Sequence, residues 1–324
     1  MHVITRAPAK VNLSLLVGPR DHMGYHELFT VFTPVDVYDE LEFMLEARPG
    51  GRPADLQVKC RAVDGEANLV AQALRALERE TGWVFAGQVA IGKGIPMGAG
   101  LGGGSTDAAV ALQVGAEVLA DVGGPAPDGA TLRSLARALG ADVSFFLDPR
   151  PAIGLGIGEL LEPIALPELP LVLIFPEEHL STARVYRAFD STRPFESRDT
   201  FTARSQEAEG RWRELARACR TRRTTPFDAI GEVAGLLQND LEETSFILVS
   251  ELVGGKEALR KEGALGALMS GSGPTLFGLC STQSAAAELE DRLVAQGFRA
   301  RAATAARSGS GGAAAAAEGA GISP

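Results

Sequence analysis

The stretch Pro96-Met97-Gly98-Ala99-Gly100-Leu101-Gly102-Gly103-Gly104-Ser105-Thr106-Asp107-Ala108-Ala109 places five glycines within seven residues, directly ahead of a run of helix formers that ends at Ala120. Glycine permits positive φ and lets a ligand approach the backbone closely. A helix start carries unpaired N–H groups and the positive end of the dipole, so a glycine turn feeding a helix suits a phosphate. A flexible linker lacks the apolar Ile95 and Met97 on one side and the helix start on the other. The loop is not a Walker A loop, because no Lys-Ser or Lys-Thr follows its last glycine. Gly98, Gly100 and Gly103 satisfy G-x-G-x-x-G, but Gly92–Pro96 separates them from a candidate strand at Val89–Ile91. Asp121 leads into the turn Val122–Pro125 instead of ending a second strand, so the dinucleotide reading fails on context.

Around the loop, Val11–Val17 and Leu28–Leu45 read as extended, and Asn68–Glu80 carries Leu69, Ala73, Leu74 and Leu77 on one helical face. Ser105–Ala120 and Thr131–Leu139 are two further predicted helices. Prolines punctuate Pro151–Pro170, where a domain boundary is expected, and Leu171–Phe175 then starts a new buried strand. Helices follow near Ala183–Phe189, Arg211–Cys219 and Ile230–Leu237. Strands are predicted at Leu265–Met269 and Thr275–Leu279, a helix at Ser284–Gln296 and a last strand at Phe298–Thr304. Strands and helices mix without regular alternation, which predicts an α+β fold. From Ser308 onward only a Gly, Ala and Ser-rich tail remains, and disorder is expected there.

The chain has 324 residues, 45% hydrophobic and 22% charged, with a formal net charge of −10. That balance excludes a general nucleic-acid or anionic-membrane binder, which needs basic faces. Arg217, Arg220, Arg222 and Arg223 read as a solvated helix face. Cys60, Cys219 and Cys280 are scattered and odd in number, which argues against a disulfide framework or zinc site and fits a reducing compartment. His22 and His26 flank a turn with no third ligand nearby, so no protein-held metal is expected. Met1–Arg6 has no apolar run behind it, and the uncharged Gly263–Ala287 is broken by Ser270–Pro274, so neither a leader nor a membrane span is expected. The expected compartment is the cytoplasm, with a plastid stroma as the alternative.

Three motifs carry a resemblance: Ala7-Pro8-Ala9-Lys10-Val11-Asn12-Leu13, the glycine loop, and Met269-Ser270-Gly271-Ser272-Gly273-Pro274-Thr275. In this order they resemble the GHMP kinases. Gly24-Tyr25-His26, Glu66–Leu69, Gly140–Phe146, Gly156–Glu159 and Ser181–Tyr186 narrow the likeness to one family within them, the 4-diphosphocytidyl-2-C-methyl-D-erythritol kinases of non-mevalonate isoprenoid biosynthesis. The likeness covers roughly residues 3 to 305. It implies an S5-like α/β domain over 1–160, a ferredoxin-like α+β domain over 161–305 and an active site in the cleft between them, with residues 306–324 as tail. It implies transfer of the γ-phosphoryl group of ATP, accompanied by Mg2+, to the 2-hydroxyl of a cytidine diphosphate methylerythritol. A monomer or homodimer with no nucleic-acid or membrane partner is expected.

By matching position, the resemblance makes Lys10 and Asp142 the catalytic pair. Asn68, Pro96, Gly98, Gly100, Leu101, Gly102, Gly103, Gly104, Ser105 and Thr106 would hold the nucleotide. Tyr25, His26 and Tyr186 would hold the cytosine, with His26 acting through its backbone, and Asn12, Thr182 and Asp142 would contact the rest of the substrate. Ser144 stands where the family often has proline, and Thr106 where it commonly has serine. Phosphoryl transfer needs positioning, charge neutralisation and a destination for the acceptor's proton. Loop amides and hydrated Mg2+ supply the neutralisation, with Ser105 or Thr106 as candidate contacts to the ion. Asp142 can take the proton while Lys10 steadies the oxygen or the transferring group. Each residue also has an ordinary alternative: Lys10 as a solvated strand lysine, Asp142 as a helix cap, the tyrosines as packing rings. Another GHMP small-molecule kinase acting on homoserine, mevalonate or a sugar is the alternative function. A catalytically inactive binding protein of the same fold is the third.

Overall fold

The computed structural model describes residues 1–305 apart from 23, 51–54, 62 and 193–195, so the tail expectation lies outside the described residues. The chain opens with a long antiparallel hairpin, β1 (His2–Arg20) and β2 (His26–Pro49). β1 starts well before Val11 in spite of Pro8. A register shift falls between Pro8 and Ala9, and a bulge is one of the few places in a sheet that tolerates a residue without an N–H. β3 (Leu56–Cys60) is followed by α1 (Leu69–Thr81), capped by the Asn68 side chain accepting from Val70 N–H at 2.9 Å. β4 (Trp83–Gly92) pairs parallel with β3 and antiparallel with β2.

The glycine loop then enters α2 (Gly103–Asp121), followed by α3 (Gly129–Leu139) and α4 (Ala141–Phe146). α2 buries residues around most of its circumference, Ala108, Ala109, Ala111 and Leu112 among them, so it is a core helix and shows no single apolar stripe. β5 (Ala152–Leu155) and β6 (Leu160–Pro163) make a hairpin on β2.

The second half runs β7 (Leu169–Ile174), α5 (Thr182–Thr192), α6 (Arg198–Arg220), α7 (Pro226–Leu236), β8 (Gln238–Asn239), α8 (Glu242–Leu248), α9 (Glu251–Lys261), β9 (Gly266–Met269), β10 (Leu276–Leu279), α10 (Gln283–Ala295) and β11 (Ala300–Ala305). Strands β11, β7, β10 and β9 lie side by side and antiparallel, the ferredoxin-like order. β11 also meets β2 at Ala305↔Val35, so one sheet runs through both halves. α6 is longer than expected because its polar first half still buries Phe201 and Ala208 on the side that carries Trp212 and Leu215. α8 and α9 were not expected. Gly254-Gly255 reads as a break, yet a Cβ at Gly255 would come within 2.7 Å of Leu276, so the glycine allows α9 to seat on β10.

One apolar cluster joins β1 and β2 to α6, α7, β7 and β10, and it takes in Ile95, Ala99 and Leu101 of the glycine loop. The loop is therefore pinned by its own apolar residues to the core that spans both halves. A second cluster lies under α1 and α2, and a third around β9, β10, α9 and α10.

Candidate active site

A cleft of about 610 Å³ opens where the three motifs meet. The first motif supplies Lys10 and Asn12 from β1, both buried. Lys10 Nζ donates to Asn12 Oδ1 at 2.6 Å, Asn12 Nδ2 donates to Thr30 Oγ1 at 2.8 Å, and Thr30 donates to the Ser14 carbonyl at 2.7 Å. This chain of bonds fixes the asparagine's orientation and leaves it an acceptor facing the ammonium. Lys10 Nζ also lies 5.6 Å from the centre of the Phe32 ring and 3.5 Å from Asp142 Oδ2. Only 4% of Lys10 is exposed, which rules out the solvated-lysine alternative.

The glycine loop is tied to the same strand, because Lys10 N–H donates to the Leu101 carbonyl at 3.0 Å. Gly100 and Gly102 have φ of 73° and 75°. A Cβ at Gly102 would stand 2.6 Å from the Phe146 ring, and one at Gly100 would stand 2.4 Å from the Ser270 carbonyl. Both conformation and space therefore demand glycine. The first bond of α2 runs from Thr106 N–H to the Gly102 carbonyl, so the amides of Gly103, Gly104 and Ser105 point out of the helix end. The third motif closes over this turn: Ser270 Oγ donates to the Gly100 carbonyl at 3.1 Å, and Thr275 N–H to the Ala99 carbonyl at 3.3 Å.

Pro96, Gly98 and the residues from Gly100 to Ser105 all line the cleft. Thr106 is fully buried behind it, its N–H already used. Asn68 lines the cleft as well, but both ends of its side chain are committed, to Val70 N–H and the Val63 carbonyl. Its backbone is engaged too, the N–H donating to the Gly65 carbonyl at 3.0 Å and the carbonyl accepting from Gln72 N–H at 3.1 Å, so it adds packing surface to the lining.

Asp142 lies in the first turn of α4, with 36% of its side chain exposed, facing the cleft opposite Lys10. Thr182 and Tyr186 line the cleft from α5, and Thr182 Oγ1 is 2.9 Å from Ser272 Oγ. Burial, and behind it the Asp142 charge, pushes the Tyr186 phenol far above its ordinary range, so it stays protonated. Tyr25 and His26 lie outside the lining. Tyr25 is 58% exposed on the turn between β1 and β2. His26 packs on Tyr186, ring centres 5.3 Å apart, and its Nδ1 donates to the Gly18 carbonyl at 2.7 Å. The imidazole thus braces the tyrosine ring.

One group escaped the sequence reading. Lys93 bridges Asp39 and Asp107 Oδ2, the latter at 2.9 Å, directly beneath the loop. Asp39 Oδ1 also takes the N–H groups of Gly94 and Ile95, each at 2.8 Å. Burial pushes Asp107 up to about 7, with Lys93 pulling it down and Asp39 raising it. Burial alone would lower Lys93, but Asp107 and Asp39 more than reverse that and leave it above its ordinary value. The signal available was Gly92-Lys93-Gly94 ahead of a Thr-Asp helix start, which the dinucleotide test treated only as an interruption.

A buried ammonium, an accessible carboxylate and outward-facing amides around one cleft are the parts of a phosphoryl-transfer site. The GHMP kinases N terminal domain model matches residues 68–148, and the GHMP kinases C terminal model matches residues 212–300. A 4-diphosphocytidyl-2-C-methyl-D-erythritol kinase of Anaeromyxobacter sp. strain K is 38% identical over 290 residues, covering 88% of this chain and 83% of its own. One from Citrifermentans bemidjiense is 39% identical over 287 residues, covering 86% and 90%. The chain belongs to this family of GHMP kinases. A crystal structure of a 4-(cytidine 5'-diphospho)-2C-methyl-D-erythritol kinase superposes with a TM-score of 0.67 at 35% identity, over 94% of this chain and 98% of that one. A homoserine kinase from Cytophaga hutchinsonii, 17% identical with a TM-score of 0.65, shares the fold. Among the described residues no helix is long and apolar enough to cross a membrane.

Among the described residues no cluster of three or more His, Cys, Asp or Glu could hold a metal. The cleft does present hard oxygen donors, the Ser105 hydroxyl and the Asp142 carboxylate, both in its lining. Magnesium that enters with nucleotide phosphates keeps most of its waters and needs only one or two such donors, so the lining fits it.

Proposed function

We propose that this kinase transfers the γ-phosphoryl group of ATP to the 2-hydroxyl of 4-diphosphocytidyl-2-C-methyl-D-erythritol. The observation that carries the reading is the Lys10–Asp142 pair, 3.5 Å apart beside the outward amides of α2. The amides of Gly103, Gly104 and Ser105 receive the phosphates, and Lys10, held by Asn12, neutralises the group in transfer. Asp142 orients the acceptor hydroxyl. As that oxygen bonds to the γ-phosphorus and the bond to the bridging oxygen breaks, the proton passes to the Asp142 carboxylate and ADP leaves. Proton removal comes late in a loose transition state, so orientation is the larger contribution. The Ser105 hydroxyl would hold the hydrated Mg2+, which supplies further neutralisation of the phosphate charge.

Tyr186, braced by His26, stacks on the cytosine, and Thr182 contacts the diphosphate or methylerythritol side. Tyr25 reaches the base only if its exposed turn moves inward on binding. The two-domain division at residue 160, a few residues ahead of the break between β6 and β7, and a cytoplasmic location belong to this reading.

The test is a side-by-side acceptor panel with ATP and Mg2+: the cytidine diphosphate substrate, homoserine and mevalonate, with products identified by mass spectrometry. The cytidine substrate should be preferred in kcat/KM by on the order of 100-fold or more, since cytosine stacking is absent for the others. Preference for homoserine or mevalonate overturns the assignment.

A further inference from the structure

We propose that Asn239, which lies outside the cleft lining, is a positioning residue for phosphoryl transfer, fixing the third glycine turn against Lys10 and the glycine loop. The inference rests on the phosphoryl-transfer reading of the cleft. β8 is only two residues long and pairs parallel with β1, at Ser14↔Gln238 and Leu15↔Asn239. From there Asn239 Nδ2 donates to two carbonyls at once, Met269 and Gly271, each at 2.8 Å, while its Oδ1 accepts from Leu241 N–H at 2.9 Å. Both amide hydrogens are spent on the turn.

That turn is the one that covers the site. Ser270 Oγ holds the Gly100 carbonyl, and Thr275 N–H holds Ala99. A Cβ at Gly271 would stand 3.4 Å from Lys10 Nζ and 3.3 Å from Asn12 Oδ1. The contacts thus close a ring from β1 through Lys10 and the loop to the turn, and from the turn through Asn239 back to β1. Without the amide, the Met269 and Gly271 carbonyls lose their shared donor and the turn gains slack where it touches the Lys10–Asn12 pair. A misplacement of about 1 Å, even from a residue remote from the chemistry, costs on the order of 100-fold in rate.

The experiment compares Asn239→Ala, the isosteric Asn239→Asp and a neighbouring control, Gln238→Ala, whose side chain bonds Ser14 Oγ. Steady-state kinetics use whichever acceptor the wild-type enzyme turns over, so a wrong choice of acceptor leaves the test intact. Circular dichroism confirms folding at the assay temperature. In both Asn239 variants kcat should fall about 10- to 100-fold, with KM for ATP and for acceptor changed less than about threefold. Gln238→Ala should stay near wild type. Unchanged kcat with a lowered Tm would reduce Asn239 to a stability role and overturn the proposal. Equal losses in Gln238→Ala would shift the effect to strand pairing and overturn it too. If Asn239→Ala does not fold, Asn239→Asp alone decides, and wild-type kcat in it is the overturning result. A wild-type chain that turns over no acceptor overturns this proposal and the function together.

Discussion

Lys10 and Asp142 form an ion pair of unequal members: Nζ and Oδ2 are 3.5 Å apart, yet the lysine side chain is 5% exposed and the aspartate 36%. The ammonium is fixed in the sheet, and the carboxylate remains open to an incoming hydroxyl. Asp142→Asn should therefore lower kcat by about 10²- to 10⁴-fold, the range for a positioned acid or base. Unfolding free energy should change by less than about 1 kcal/mol, because a partly exposed pair contributes little. Kinetics and a urea melt on the same preparation check both halves.

Lys10→Ala should behave differently. Asn12 Oδ1 loses its buried donor, so stability should fall by about 1–3 kcal/mol along with kcat. Comparing the urea midpoints of the two variants separates the buried member of the pair from the open one.

Gly102→Ala tests the cradle. Positive φ and a Cβ 2.6 Å from Phe146 force the loop to shift, which should cost about 1–3 kcal/mol in stability. Loss of amide aim should lower kcat by about 100-fold. Wild-type kinetics in this variant would mean that the loop amides do not contact the phosphates.

Much of this site was legible from residue order. Glycine spacing ahead of helix formers gave the tight turn into α2, because few other structures need that many unrestricted φ angles in a row. The buried ion network under the loop was not legible: Asp39 comes from β2, Lys93 from the segment after β4 and Asp107 from α2, and only tertiary packing brings them together. β5 and β6, four residues each, are too short for a period-2 pattern, α8 has only seven residues and α9 is interrupted by Gly254-Gly255. β3 does alternate, as Leu56-Gln57-Val58-Lys59-Cys60, a signal the sequence carries in full. His26 was expected to act through its backbone. Its ring bonds the Gly18 carbonyl of β1 through Nδ1, while Nε2 lies 3.1 Å from Asp190 of α5, a neighbour that only the tertiary fold supplies.

The network makes a pH prediction. Asp107, raised to about 7, binds a proton in the folded chain that the unfolded chain releases near pH 4. Stability from this group is therefore complete below about pH 4 and declines as pH rises to about 7. Asp107→Asn should flatten that part of the stability curve measured by urea melts at successive pH values. An unchanged slope between pH 4 and 7 would show that Asp107 titrates normally.

Tyr186 separates stacking from hydrogen bonding. Tyr186→Ala should raise KM for the cytidine substrate by about 10- to 100-fold, the worth of one base–aromatic stack, and leave KM for ATP unchanged. Tyr186→Phe should stay close to wild type, since the ring does the work. A large defect in the phenylalanine variant would point to the hydroxyl instead.

The most direct measurement is a crystal structure with a non-hydrolysable ATP analogue and the cytidine diphosphate substrate bound together. The terminal phosphorus should sit against the Gly103–Ser105 amides with a phosphate oxygen on Lys10 Nζ, and the 2-hydroxyl should lie within about 3.2 Å of an Asp142 oxygen. A terminal phosphate bound away from Lys10, or an acceptor hydroxyl out of reach of Asp142, would contradict the account.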